Sequence, residues 1–114
     1  MTRLARVLVL FVGPLLLTGL ASAQPPQGEI ALNNDSVRVT LLTFRPGGGT
    51  GRHLGLEPEL GIVLEGELIV DAPKGQETLR AGSVYWLPGL TPHDVRNESA
   101  GLAKLWDILL KRCE

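Results

Sequence analysis

Ser36 to Phe44 alternates strictly, with Val37, Val39, Leu41 and Thr43 sharing one side of an extended chain. A period of two with β-branched residues is the signature of a half-buried strand. Leu60 to Leu64 and Glu67 to Asp71 are two further strand segments, and Glu65-Gly66 between them reads as a tight hairpin turn. Shorter extended runs follow at Glu77 to Leu79, Val84 to Leu87 and His93 to Asn97. They are separated by Ala72-Pro73-Lys74-Gly75, Ala81-Gly82, Pro88-Gly89 and Glu98 to Gly101. Turn signals about 8 to 12 residues apart predict an antiparallel all-β sandwich or barrel. The last segment, Leu102 to Arg112, fits two periods. Leu102, Leu105, Trp106 and Leu109 sit at helical spacing, whereas Leu102, Trp106, Ile108 and Leu110 fit one strand face.

The N-terminus follows a different pattern. Arg3 and Arg6 precede an apolar run from Val7 to Leu17, and Ala21-Ser22-Ala23 closes a small-residue zone. This is the three-part layout of a secretory signal, with cleavage expected after Ala23 and a periplasmic or secreted product. The apolar run is shorter than the roughly 20 residues of a membrane span, so no stable membrane anchor is expected after cleavage. No Cys follows it for a lipid anchor, and no paired Arg marks a twin-arginine signal. The expected organisation is a signal peptide over 1–23, an extended lead-in over 24–35 carrying Pro25-Pro26, and one domain over 36–112.

Composition sharpens this layout. The 114 residues carry 11 Lys+Arg against 12 Asp+Glu, a net charge of −1, with 14 Gly and 8 Pro. Removing the signal takes two arginines with it, so the mature domain is mildly acidic and has no basic footprint for nucleic acid. A single cysteine, Cys113, excludes an intrachain disulfide framework and any Cys-rich zinc site. As a terminal thiol in an oxidising compartment, Cys113 would be free to pair between chains. The glycine-rich stretch Arg45-Pro46-Gly47-Gly48-Gly49-Thr50-Gly51 lacks the Lys-Ser/Thr ending of a phosphate-binding loop.

Candidate chemistry centres on the only two histidines, His53 and His93. His53, Gly55, Glu57 and Glu59 share parity, so an extended segment would aim an imidazole and up to two carboxylates at one space. His93 would reach that space from another strand. Two imidazoles and a carboxylate are the facial set of non-haem Fe(II) oxygenases, and Zn²⁺ accepts the same donors. Glu65 and Glu67 are expected to be solvated, while Tyr85, Trp86 and Trp106 are expected in the barrel core or at its rim.

The spacing carries a family resemblance. Gly47, His53, Glu59 and Gly66 follow G-x5-H-x-H-x3or4-E-x6-G, and Gly82, Pro88, His93 and Asn97 follow G-x5-P-x-G-x2-H-x3-N. These are the two signatures of the cupins, which the chain resembles over about half of its mature length. Two positions depart: the second His of the first motif is Gly55, and the last Gly of the second is Leu90. The resemblance implies a jelly-roll β-barrel, and a barrel of that type takes Leu102 to Arg112 as a strand. It also implies a divalent metal, Fe, Zn, Mn or Ni, held by His53, Glu59 and His93, with Glu57 as a further ligand or supporting base. The implied activity is dioxygenase-like or hydrolytic on a small organic molecule. The alternative is a non-enzymatic ligand-binding module with a weak or vestigial metal site, which the loss of a ligand at Gly55 favours. A homodimer is the expected assembly.

Overall fold

A computed structural model describes residues 23–111. The expected signal segment over 1–23, but for Ala23 itself, and Cys113 lie outside the described residues. Every regular element among the described residues is a strand: β1 Gln27–Asn33, β2 Val37–Phe44, β3 His53–Gly55, β4 Glu59–Glu65, β5 Glu67–Ala72, β6 Gly75–Arg80, β7 Val84–Leu87, β8 Thr91–Arg96 and β9 Ala103–Leu110. They form a five-stranded sheet in the order β1-β2-β9-β4-β7 and a four-stranded sheet in the order β3-β8-β5-β6. All pairings are antiparallel. The two sheets face each other as a jelly-roll sandwich.

The core lies between the inner faces. Phe44, Val63, Leu68, Val70, Leu79, Tyr85, Leu87, Val95, Ala103 and Leu105 are all buried there. Each fully buried aliphatic or aromatic side chain of this kind contributes about 1.5–3 kcal/mol. Asn97, also buried, donates from Nδ2 to the Phe44 and Gly101 carbonyls and accepts at Oδ1 from the Ser99 amide and hydroxyl. The motif asparagine thus ties the ends of β2 and β8 to the loop that feeds β9.

The structure settles the C-terminal segment as a strand, β9, paired with both β2 and β4. Tertiary pairing decides between two periods that the local sequence left balanced. Its core side is Ala103 and Leu105, and Trp106, Ile108 and Leu110 point away from the core. The same inversion holds for β2, whose Leu42 and Phe44 pack against the core while Val39 and Leu41 face outward. Residues 24–35, read from the sequence as a lead-in ahead of the domain, carry β1, which pairs with β2 as the edge of the larger sheet.

Glu65-Gly66 is a corner and not a hairpin. β4 and β5 belong to different sheets, and Gly66, at φ 77°, swings the chain across from one to the other. A side chain there would meet the Leu102 carbonyl at 2.3 Å. The true hairpin is β5–β6, closed where Ala72 pairs with Gly75. Glu65 and Glu67 are on the surface, Glu67 within 3.2 Å of Arg80.

The outer face of the larger sheet is apolar. Leu32, Val39, Ile108, Leu60 and Trp86 form one unbroken cross-strand row over all five strands. Leu41, Trp106, Ile62 and Val84 form the next, which ends on β1 at Glu29. Trp86 and Val84 are about half exposed, and every residue of β1 is exposed.

Candidate functional site

The sequence predictions placed His53, Gly55, Glu57 and Glu59 along one strand. The chain instead leaves β3 at Gly55, turns through Leu56-Glu57-Pro58 and enters the opposite sheet at Glu59. Pro58 cannot donate to a ladder, which helps end the first strand. His53 and Glu59 therefore approach one another from facing sheets. Glu57 stays in the turn, partly buried, with its carbonyl 3.9 Å from where a Gly55 Cβ would lie.

His53 pairs directly with His93 across β3 and β8, so the rings share one side of the ladder. Their centroids are 4.3 Å apart at 60°. Each ring is fixed through Nδ1, His53 against the Gly51 carbonyl at 2.9 Å and His93 against that of Thr91 at 2.8 Å. Donation from Nδ1 to a carbonyl leaves Nε2 as the free nitrogen, the usual support for a metal-ligating imidazole. His93 is buried and its Nε2 has no aligned hydrogen-bond partner. That nitrogen lies 3.3 Å from Glu59 Oε1, a contact of charge and proximity without linear hydrogen-bond geometry. His53 is exposed at the mouth.

Glu59 is held from its other side. Tyr85 donates its hydroxyl to Glu59 Oε2 at 2.6 Å. The tyrosine reaches it because Gly61, its cross-strand neighbour on β4, has no side chain; a Cβ there would sit 2.1 Å from the ring. Asp107 on β9 flanks Gly61 from the other side and completes the interior row. Its Oδ1 is buried without a hydrogen-bond partner.

The electrostatics follow from this packing. Burial alone would raise the Glu59 carboxyl, but its close approach to His93, the Tyr85 hydrogen bond and the neighbouring Asp107 outweigh it and hold Glu59 below the usual carboxylate range. Its close contact with the Glu59 carboxylate raises His93 against the opposing effect of its burial. Burial, followed by the Glu59 charge, pushes Asp107 up to about 7. Burial, then the Glu59 charge, also pushes the Tyr85 hydroxyl up, so it stays a donor. The interior thus carries an imidazole–carboxylate pair with a protonatable acid beside it.

Of the three expected ligands, the structure brings Glu59 and His93 into contact and sets the His53 ring tilted against that of His93. Among the described residues no group of three or more His, Cys, Asp or Glu is gathered closely enough to hold a metal ion as it stands. The donor chemistry nevertheless fits a divalent cation, because the buried His93 Nε2 has no aligned partner and both imidazoles are fixed through Nδ1. At Gly55 a Cβ would lie 3.6 Å from His93 Cε1, an ordinary contact, so a side chain would be accommodated beside the ring. Tyr85, Gly61 and Asp107 were not singled out as site residues by sequence. Gly61 and Asp107 belong to neither motif, and Tyr85 read as core, where it also belongs.

Comparison with known proteins agrees with this architecture. A family model described as the cupin domain matches residues 40–109. A cupin domain from Bordetella pertussis Tohama I is 27% identical, with a TM-score of 0.69, covering 81% of this chain and 99% of that one. The TT1209 protein of Thermus thermophilus is 26% identical, with a TM-score of 0.73 and coverage of 85% and 95%. An RmlC-like cupin with a double-stranded β-helix fold from Methanocaldococcus jannaschii superposes with a TM-score of 0.70 at 13% identity, covering 79% and 84%. No curated protein matches the chain. A match spanning β2 to β9, on a jelly roll that places both motif histidines at one mouth, makes this chain a member of the cupin family.

Proposed function

We propose that the protein is exported and binds a divalent metal at the barrel mouth through His53, Glu59 and His93, where a small organic molecule completes the site. The observation that carries this reading is His93 Nε2, buried, unpaired and 3.3 Å from a carboxylate oxygen, on a ring fixed from behind by the Thr91 carbonyl. A bound metal would supply Lewis-acid polarisation or, with iron, activation of O₂, as dioxygenase-like or hydrolytic chemistry requires. Tyr85 holds Glu59 so that Oε1 stays turned toward His93, and the apolar core beneath excludes water. The arginines and small-residue zone of the first 23 residues support export to the periplasm or beyond.

Metal analysis of protein recovered from the periplasm tests this. Near-stoichiometric metal is expected, falling at least tenfold in His93→Ala and in His53→Ala. Metal-free protein whose thermal unfolding ignores chelator would sink the reading. It would leave the second one, a non-enzymatic ligand module, which Gly55 and the absence of a gathered ligand trio among the described residues favour. Equal metal content in Glu57→Ala and the native chain would remove Glu57 as a ligand.

The assembly we propose is a homodimer through the outer face of the larger sheet. Five strands about 4.8 Å apart and seven residues at about 3.3 Å each give a face on the order of 500 Å² before side-chain relief. That is comparable to the about 800 Å² which one partner of a standard interface buries. The face is apolar in one row across all five strands and in the next across four, and β1 pairs with β2 alone, so a second copy covers both. Light scattering should give twice the chain mass for the native protein and a monomer for Trp86→Glu; a monomeric native protein would overturn this.

A further inference from the structure

Leu90 is the one non-glycine residue among those described that has a positive φ, 63°. In the second motif this position is a glycine, which adopts the left-handed region without cost, whereas leucine is disfavoured there. The conformation is held by the fold: the Leu90 amide donates to the Gly55 carbonyl at 2.7 Å, clamping the β7–β8 turn to the end of β3. Nothing buries the side chain in return. Leu90 is 65% exposed, and Leu56 beside it 69%. Backbone strain of this kind clusters at binding and active sites. Together with Pro58, Gly89, Leu110 and Lys111, the two leucines line a cleft of about 350 Å³. One backbone link joins the cleft's lining to the candidate site: the Leu90 amide bonds to Gly55, and a Cβ on Gly55 would lie 3.6 Å from His93 Cε1.

We propose that Leu90 and Leu56 form an apolar wall that selects a substrate or ligand with a hydrocarbon tail, its polar head lying toward His93 and Glu59. This deepens the proposed function and rests on its claim that the mouth takes a small organic molecule. The volume lies within the range of small-molecule sites, and the lining is apolar with one cation at its edge. Lys111 is already committed to Asn33 Oδ1 and the Asn34 carbonyl, so the wall and not a free charge sets the preference.

The test is a titration of the purified protein with n-alkanols from ethanol to hexanol, followed by amide NMR shifts. A methylene transferred to an apolar wall is worth about fourfold in affinity at most. Wild type should gain two- to fourfold per methylene, with saturable shifts at Leu56, Gly89 and Leu90 reaching His93. Leu90→Asn should flatten this slope while its Tm stays equal or rises by roughly 4–8 °C, since Asn tolerates the left-handed region. Leu90→Met should keep the slope. A flat slope in the native protein, an undiminished one in Leu90→Asn, or shifts confined to the Trp86 face would overturn the proposal. Metal content measured on the same samples separates the two claims. A flat slope with metal intact removes the apolar wall alone, whereas a steep slope on metal-free protein keeps the wall and removes the metal reading.

Discussion

Gly61→Ala is expected to destabilise the protein by about 3 kcal/mol or more, although alanine normally favours a strand over glycine. The added Cβ would fall 2.1 Å from Tyr85 Cε2 and 2.3 Å from Cζ. Contacts that short require the ring to move, and the ring is buried in the core. Overpacking of this kind costs about 1–3 kcal/mol. Displacing the ring also breaks the Tyr85–Glu59 hydrogen bond, a bond to a charged group worth about 1.5–3 kcal/mol. Urea unfolding measures the total. The mechanism is specific to one ring, so the same alanine introduced into Tyr85→Leu should cost under about 1 kcal/mol. An equal cost in both backgrounds would mean that the damage comes from somewhere other than the Tyr85 contact. Metal or ligand binding should weaken in Gly61→Ala as well, because Glu59 loses the group that orients it.

How far the sequence foretold this site depends on the distance over which each residue acts. The motif spacing singled out His53, Glu59 and His93, and the structure brings all three close together. Parity along a strand, however, explained their meeting wrongly. Glu59 reaches His93 from the opposite sheet, after a turn that a local pattern ending in Glu57-Pro58 does not determine. Gly66 shows the same limit: Glu65-Gly66 has the composition of a hairpin, yet the chain changes sheets there, because β4 finds its partners in β7 and β9. The strand faces of β2 and β9 were legible as faces, but both sides of these strands are apolar. Which side enters the core was therefore undetermined until the sheets packed. Asp107 and Gly61 were invisible for a related reason. Their significance lies in the row Asp107–Gly61–Tyr85, which joins three strands distant in sequence. Leu90 was visible as a departure from a motif, but only its φ and exposure turn that departure into an argument.

Asp107→Asn should be more stable than the native chain at pH 8 and no more stable at pH 4. The Asp107 carboxyl, ordinarily at 3.8, is pushed up to about 7 by burial first and then by the Glu59 charge. Over that interval the folded state keeps a proton that the unfolded chain releases. Stability of the native protein therefore falls as pH rises from about 4 to about 7 and is flat above. At about 1.4 kcal/mol per tenfold change in proton concentration, the interval from about 4 to about 7 sets a ceiling of about 4 kcal/mol. Sharing of the proton with Glu59 and contact with solvent reduce this to about 1–2 kcal/mol, a few degrees in Tm. Asparagine keeps the shape and carries no charge, so it removes the pH-dependent loss. Glu59→Gln should behave in the opposite sense. Its carboxyl lies below the usual range, so it stabilises the fold above the ordinary carboxylate range and loses that contribution as pH falls. The glutamine variant should therefore be weakened at pH 7 and approach the native protein in acid. Thermal unfolding of both variants between pH 4 and pH 8 gives two slopes of opposite sign. A gain in Asp107→Asn that persists undiminished at pH 4 would show that packing, and not the buried charge, sets its effect. Opposite slopes would establish that Glu59 is the committed anion of the site and Asp107 its reserve acid, two interior carboxyls that the row through Gly61 keeps in different protonation states.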